Sequence, residues 1–296
     1  MHTFPFGNHQ VGRVGFGAMQ LPGPGVFGPP RDRQQVLAVL RRAIELGINH
    51  IDTSQFYGPN IANELIREAL HPYPPDLALV SKVGATRGPD AEWLPAQQPD
   101  QLRAQIEENL RTLDTDRLAA VNLRVFGTDP DVPAQLEDRD LFERQLAAMI
   151  KARDEGLIDG IGLSSITLEH LRIALDHTDI VCVQNAYNLV DRTSQPVLEA
   201  CAERGIAFVP FFPLGSAFTT VNPVLGHPAV VREAQRSGHT PAQIALAWTL
   251  SVAPNVLLIP GTSSIAHLEE NTAVAGITLD GEVKAELDAV GAEASR

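Results

Sequence analysis

Apolar residues along the chain fall into two alternating rhythms. Val36, Val39, Leu40, Ala43 and Ile44 repeat at helical spacing on one face, and Gly47 stops that helix. Residues 49–52 then read as a short strand, 62–70 as a helix, and 77–82 as a strand with a continuous apolar run. Leu102, Ile106, Leu110 and Leu113 mark the next helix, and 118–125 the next strand. Phe142, Leu146, Met149 and Ile150 mark a further helix, closed by Gly156. The alternation continues with strand 158–163, a helix capped by Thr167, strand 180–185, helix 195–204 and strand 206–211. Helical stretches at 229–237 and 241–252, a last strand at 256–259 and a crossover helix at 266–275 follow. Val283, Leu287 and Val290 place one more helix at the C-terminus.

Repeated strand–helix alternation implies a parallel sheet. With residues 14–18 in front, eight strands are available, and eight such units in roughly 250 residues are the dimensions of a (β/α)8 barrel. An open, doubly wound sheet is the alternative. That fold favours Gly-x-Gly-x-x-Gly after an early strand, a spacing the first glycine cluster, GFGAM, lacks. The expected fold class is therefore α/β: a single (β/α)8 TIM barrel with an N-terminal β-hairpin and an extra C-terminal helix. No shift in composition marks a linker, so residues 1–296 read as one domain.

Composition narrows the function. Apolar residues make up 44% and charged residues 20%, which is globular chemistry. The net charge of -13 disfavours nucleic acid and anionic membranes as partners. Cys182 and Cys201 cannot build a disulfide framework or a four-ligand zinc site, and no His/Cys/Asp spacing suggests a metal. No secretory signal and no apolar run of transmembrane length is read. A cytoplasmic protein, monomeric or weakly oligomeric, is expected.

Catalytic groups of such barrels lie at the C-terminal ends of the strands. That rule selects Asp52, Lys82 and Arg124, with Tyr57 in the loop YGPN over the same face. A lysine ending a buried strand needs a counter-charge, which Asp52 is placed to give. A lysine near a tyrosine favours the phenolate and makes the phenol a usable general acid. Singly, each residue is explained by a structural ion pair or by packing. Jointly, they describe a proton donor for a carbonyl oxygen that receives a hydride.

Here the sequence resembles the aldo-keto reductase family. NHIDTSQFYG looks like its Asp–Tyr segment and LALVSKVG like its lysine strand. VCVQNAYN, FFPLG and IPGTSSIAHLEEN resemble the strands and segment that hold a nicotinamide cofactor. The resemblance implies catalytic roles for Asp52, Tyr57 and Lys82, with Arg124 at the position of the usual catalytic histidine. It implies cofactor contacts at Ser164, Gln184 and Phe211, then at Leu214 and Ser216. Gly261, Thr262, Ser263, His267, Glu270 and Asn271 would hold the adenosine phosphate half. Within the family, GAMQLPGPGVFGPPRDR, FYGPN, VNLR and VPFFPLG look like the bacterial pyridoxal reductase group, which implies NADPH-dependent reduction of pyridoxal to pyridoxine. A general aldehyde reductase and a cofactor-binding regulatory barrel are the alternatives.

Three further positions depart from the family pattern. Ser165 replaces an asparagine, Phe211 a tyrosine and His267 an arginine, the last removing a cation from the expected 2′-phosphate site. Arg124 offers a permanent charge and a forked donor, able to grip an aldehyde oxygen and the hydroxyl beside it. It can equally be read as pairing with a local carboxylate such as Asp52, above an inward-pointing Asn122. Trp93, in the long loop 84–99, either stacks over the site or covers apolar surface. Trp248, Cys182 and Cys201 read as core, His50 as a packed, hydrogen-bonded histidine, and 280–293 as a solvated helix face. With only 291–296 after the last helix, an open pocket for a small flat substrate is expected, walled by the Gly/Pro loop 22–30 and by 212–221.

Overall fold

The structure, a computed structural model, describes residues 3–127, 133–215 and 222–294. It opens with an antiparallel hairpin, β1 (Thr3–Phe6) and β2 (His9–Gly12). Phe6 and Val11 of this hairpin are fully buried in a small apolar cluster with Ala78, Val80, Ala120, Cys182 and Leu257. The hairpin thus plugs the N-terminal end of the barrel.

The barrel strands are β3 (Phe16–Gly17), β4 (His50–Asp52) and β5 (Ala78–Val83), followed after a second hairpin, β6 (Ala85–Arg87) and β7 (Trp93–Pro95), by β8 (Ala120–Arg124), β9 (Ile161–Ser164), β10 (Cys182–Gln184) and β11 (Ala207–Phe208). They pair in parallel in the order β11-β10-β9-β8-β5-β4-β3. The open edges are joined by the eighth extended segment, 255–259. Phe208 N–H donates to Asn255 at 2.9 Å, and Leu258 accepts from Gly15 at 2.7 Å. Bridges at Phe208–Val256 and Val14–Leu258 complete the ring. All eight expected strands are present, the last as bridges only.

The helices are α1 (Arg33–Glu45), α2 (Ile61–Leu70), α3 (Pro99–Leu113), α4 (Arg139–Asp154), α5 (Leu168–His177), α6 (Gln195–Arg204), α7 (Pro228–Ser237), α8 (Pro241–Ser251), α9 (Ile265–Ala273) and α10 (Gly281–Ala294). Their starts follow local chemistry. Asp32 accepts from Gln35 N–H at 2.9 Å, Asp138 from Leu141 N–H at 2.8 Å, and Thr240 caps α8 reciprocally with Gln243. The predicted face of α1 is the one buried, with Val36, Val39, Leu40 and Ala43 at most 2% exposed. The Val and Leu side chains among them each contribute roughly 1.5–3 kcal/mol.

Strand β5 shows how alternation aims a catalytic candidate. Ser81 faces outward, where its hydroxyl donates to Asn109 Oδ1 of α3 at 2.6 Å. Asn109 also donates to Gln55 at 2.9 Å and accepts from Asn63 at 2.9 Å. This buried network fixes the register, and Lys82, one residue on, points into the barrel.

Candidate active site

Asp52 and Lys82 end adjacent strands and form an ion pair at the barrel mouth, 2% and 4% exposed. Lys82 Nζ also donates to the Thr53 carbonyl at 3.2 Å. The second Asp52 oxygen accepts from Gln184 Nε2 at 2.6 Å. Lys82 Nζ lies 5.1 Å from the centre of the Tyr57 ring. Burial alone would lower the lysine's pKa, but Asp52 and then Tyr57 outweigh it, so the ammonium is held above its ordinary value. Both Asp52 oxygens are thus engaged, one by Lys82 and one by Gln184.

A cleft of about 190 Å³ opens above this pair. Of the candidates read from the sequence, it brings together Asp52, Tyr57, Lys82, Gln184, Phe211, Leu214, Gly261 and Asn271. Ser164 is the register neighbour of Gln184 in the sheet, and Arg124 is the neighbour of Ser164. The Arg124 guanidinium carbon lies 5.8 Å from the centre of the ring of Phe211, which lines the cleft. Among the described residues, Ser164 Oγ, Ser165 Oγ and Gln184 Oε1 are buried oxygens without a partner. Buried polar atoms are almost always hydrogen-bonded, so such a cluster points to a bound polar group.

The remaining candidates lie off the cleft. Thr262 Oγ1 accepts from Ser264 N–H at 3.0 Å, His267 is exposed in the first turn of α9, and Glu270 is half-buried on that helix. Ser263 lines a neighbouring cavity of about 400 Å³ with Gln20, Arg31 and Gln35. Ser216, and the loop 212–221 from 216 onward, lie outside the described residues.

The sequence reading missed Gly17, Met19 and Gln20, which line the same cleft at the end of β3. A Cβ on Gly17 would meet the Ile259 carbonyl at 2.4 Å, and one on Gly261 the Gly17 carbonyl at 2.4 Å. The two backbones therefore touch, which only glycine permits. The strand-end rule that selects Asp52 selects these residues too, but the sequence reading uses this stretch only for its missing nucleotide motif and as a group resemblance, not for site residues.

Trp93 stands in β7, not in a structureless loop, with its ring 5.5 Å from Phe56, which lies 5.3 Å from Tyr57. His50 is wholly buried as expected, yet neither ring nitrogen has a hydrogen-bond partner, correcting that part of the reading. Trp248 is core, stacked on Tyr187, and its indole N–H donates to Asp288 at 2.8 Å. The C-terminal helix is solvated on one side only, since Leu287 and Val290 are buried. Among the described residues, no group of three His, Cys, Asp or Glu could hold a metal, and no helix is long and apolar enough to cross a membrane.

Comparison with known proteins agrees with this geometry. The Aldo/keto reductase family model matches residues 13–292. The chain is 48% identical over 292 residues to pyridoxine 4-dehydrogenase of Escherichia coli strain K12, covering 99% of each chain. It is 41% identical over 290 residues to an uncharacterised oxidoreductase of Schizosaccharomyces pombe, covering 98% of this chain and 90% of that one. Among solved structures, an aldo/keto reductase from Klebsiella pneumoniae in complex with NADP and acetate superposes with a TM-score of 0.78 at 29% identity, covering 97% of this chain and 94% of that one. The chain belongs to the aldo/keto reductase family.

Proposed function

We propose that this aldo/keto reductase is an NADPH-dependent carbonyl reductase that reduces pyridoxal to pyridoxine, working in the cytoplasm as one barrel over residues 1–296. The observation that carries the reading is the buried Asp52–Lys82 pair beside Tyr57 at the floor of a cleft that Gln184 also lines. The 48% identity to pyridoxine 4-dehydrogenase supports the substrate, and the Klebsiella pneumoniae structures in complex with NADP and with NADPH support the cofactor.

The residues present fit a nicotinamide. Gln184 Oε1 and the hydroxyls of Ser164 and Ser165 would take its carboxamide, and Phe211 would pack on the ring. When bound, the dinucleotide supplies the hydride. Tyr57 gives its proton to the carbonyl oxygen as negative charge grows there. Lys82, held protonated by Asp52, stabilises the phenolate that remains. Arg124 orients the aldehyde and the ring hydroxyl beside it through its two-pronged donor geometry.

The test is the steady-state loss of NADPH absorbance with pyridoxal, beside NADH and simple aldehydes. A clear lead in kcat/KM for pyridoxal with NADPH supports the reading. If pyridoxal is inert while another aldehyde turns over, a general aldehyde reductase replaces it. Tight NADPH binding without turnover of any carbonyl supports a regulatory barrel.

A further inference from the structure

Arg87 ends β6, in the hairpin that follows the lysine strand, and reaches across to the Gly/Pro loop 22–30. Its guanidinium donates to the carbonyls of Val26 at 3.0 Å, Gly25 at 3.0 Å and Ala91 at 2.6 Å. It also lies over two rings, 4.1 Å from the centre of Trp93 and 5.3 Å from that of Phe27. An arginine held this way joins two loops through both its fork and its face.

What it joins is the support of Tyr57. The Val26 carbonyl that accepts from Arg87 accepts also from Gly58 N–H at 3.2 Å, and Gly28 N–H donates back to Gly58 at 2.9 Å. Gly58 follows Tyr57 directly, and its φ of +103° is one a side chain would resist. Val26 has a φ of +58°, a strained conformation for a β-branched residue that persists only where its surroundings impose it. A second route is aromatic: Arg87 over Trp93, Trp93 against Phe56, Phe56 against Tyr57.

We infer that Arg87 is a positioning residue for the reduction. It latches loop 22–30 onto the β6–β7 hairpin and thereby fixes Tyr57 at the distance proton transfer requires. The inference rests on the functional reading above for Tyr57's role, but the latch is testable apart from it.

The experiment pairs hydrogen exchange with kinetics on Arg87→Ala and Arg87→Lys. In Arg87→Ala, amide exchange in peptides spanning 22–30 and 53–60 accelerates, because the bonds at Gly28 and Gly58 lose their brace. In the same variant kcat falls by roughly 10- to 100-fold, the scale of a misplaced catalytic group, while the Kd for NADPH stays within about twofold. Arg87→Lys keeps the charge over Trp93 but not the fork, and recovers part of both losses. Unchanged exchange in both peptides, or unchanged kcat in Arg87→Ala, overturns the inference. Should Arg87→Ala not fold, Arg87→Lys alone decides between slowed and unchanged kcat. Should the parent protein turn over no carbonyl, the functional reading fails, and the exchange measurement still decides whether Arg87 holds the loop.

Discussion

Gln184 and Asp52 stand on strands that are not neighbours in the sheet, yet Gln184 Nε2 donates to Asp52 Oδ2 at 2.6 Å across the barrel mouth. Lys82 occupies the other oxygen. One carboxylate thus accepts from a buried cation and from a buried amide at once. Removing one partner of a buried pair leaves the other charge uncompensated, which costs about 3–5 kcal/mol. Asp52→Ala is therefore expected to lower the free energy of unfolding by that amount, read as a lower urea midpoint, and to abolish turnover. An unchanged midpoint would show that Lys82 finds other compensation.

Tyr57 is 6% exposed, and its phenol lies above the buried lysine. Tyr57→Phe removes the donated proton and little else. Turnover should fall by roughly 10²- to 10⁴-fold, the usual worth of a general acid. NADPH affinity, followed by fluorescence titration, should hold near the parent value. Activity retained in this variant would remove Tyr57 from the proposed step.

Arg124 lies over the ring of Phe211, which lines the cleft. If its fork grips two adjacent oxygens, Arg124→Lys keeps the charge and loses one of two charge-assisted bonds, each worth about 1.5–3 kcal/mol. The expected loss in kcat/KM is roughly 10- to 100-fold for pyridoxal, and smaller for benzaldehyde, which lacks the neighbouring hydroxyl. Equal losses on both substrates would make Arg124 a general electrostatic group.

The strands and most helices were legible because apolar periodicity and the strand-end rule act locally. Asp52 and Lys82 lie at strand ends and were found that way. Gln184 was legible only through resemblance, and its bond to Asp52 was not legible at all, since only barrel closure brings the two together. Arg87 left no signal: its partners are backbone carbonyls of the Gly/Pro loop and of Ala91, and carbonyls have no residue type. The β6–β7 hairpin was read as loop because three-residue strands are too short to establish alternation. His50 is placed inside as expected, but its lack of partners leaves no mark on the sequence, its ring lying 5.3 Å from that of Phe6.

His50 and His170 also make stability depend on pH. Burial pushes the His50 imidazole down to about 4, with Asp52 opposing and Lys82 adding to the shift. Burial likewise holds His170 at about 4. In the unfolded chain both titrate near 6.5. Between these values the unfolded state binds more protons than the folded state, so stability rises with pH across that window. The contribution is fully present above about pH 6.5 and is lost as pH falls toward 4, on the order of 3 kcal/mol for each histidine. The two can be separated. His170 Nδ1 pairs with Thr167 at the start of α5, so replacing it also disturbs a cap. His50 has no such partner, and His50→Leu removes its titration without breaking a hydrogen bond. Urea unfolding of parent and His50→Leu at several pH values from 4 to 7 should show the slope of stability against pH reduced by about half the histidine contribution. Identical slopes would mean that His50 takes up no proton on unfolding.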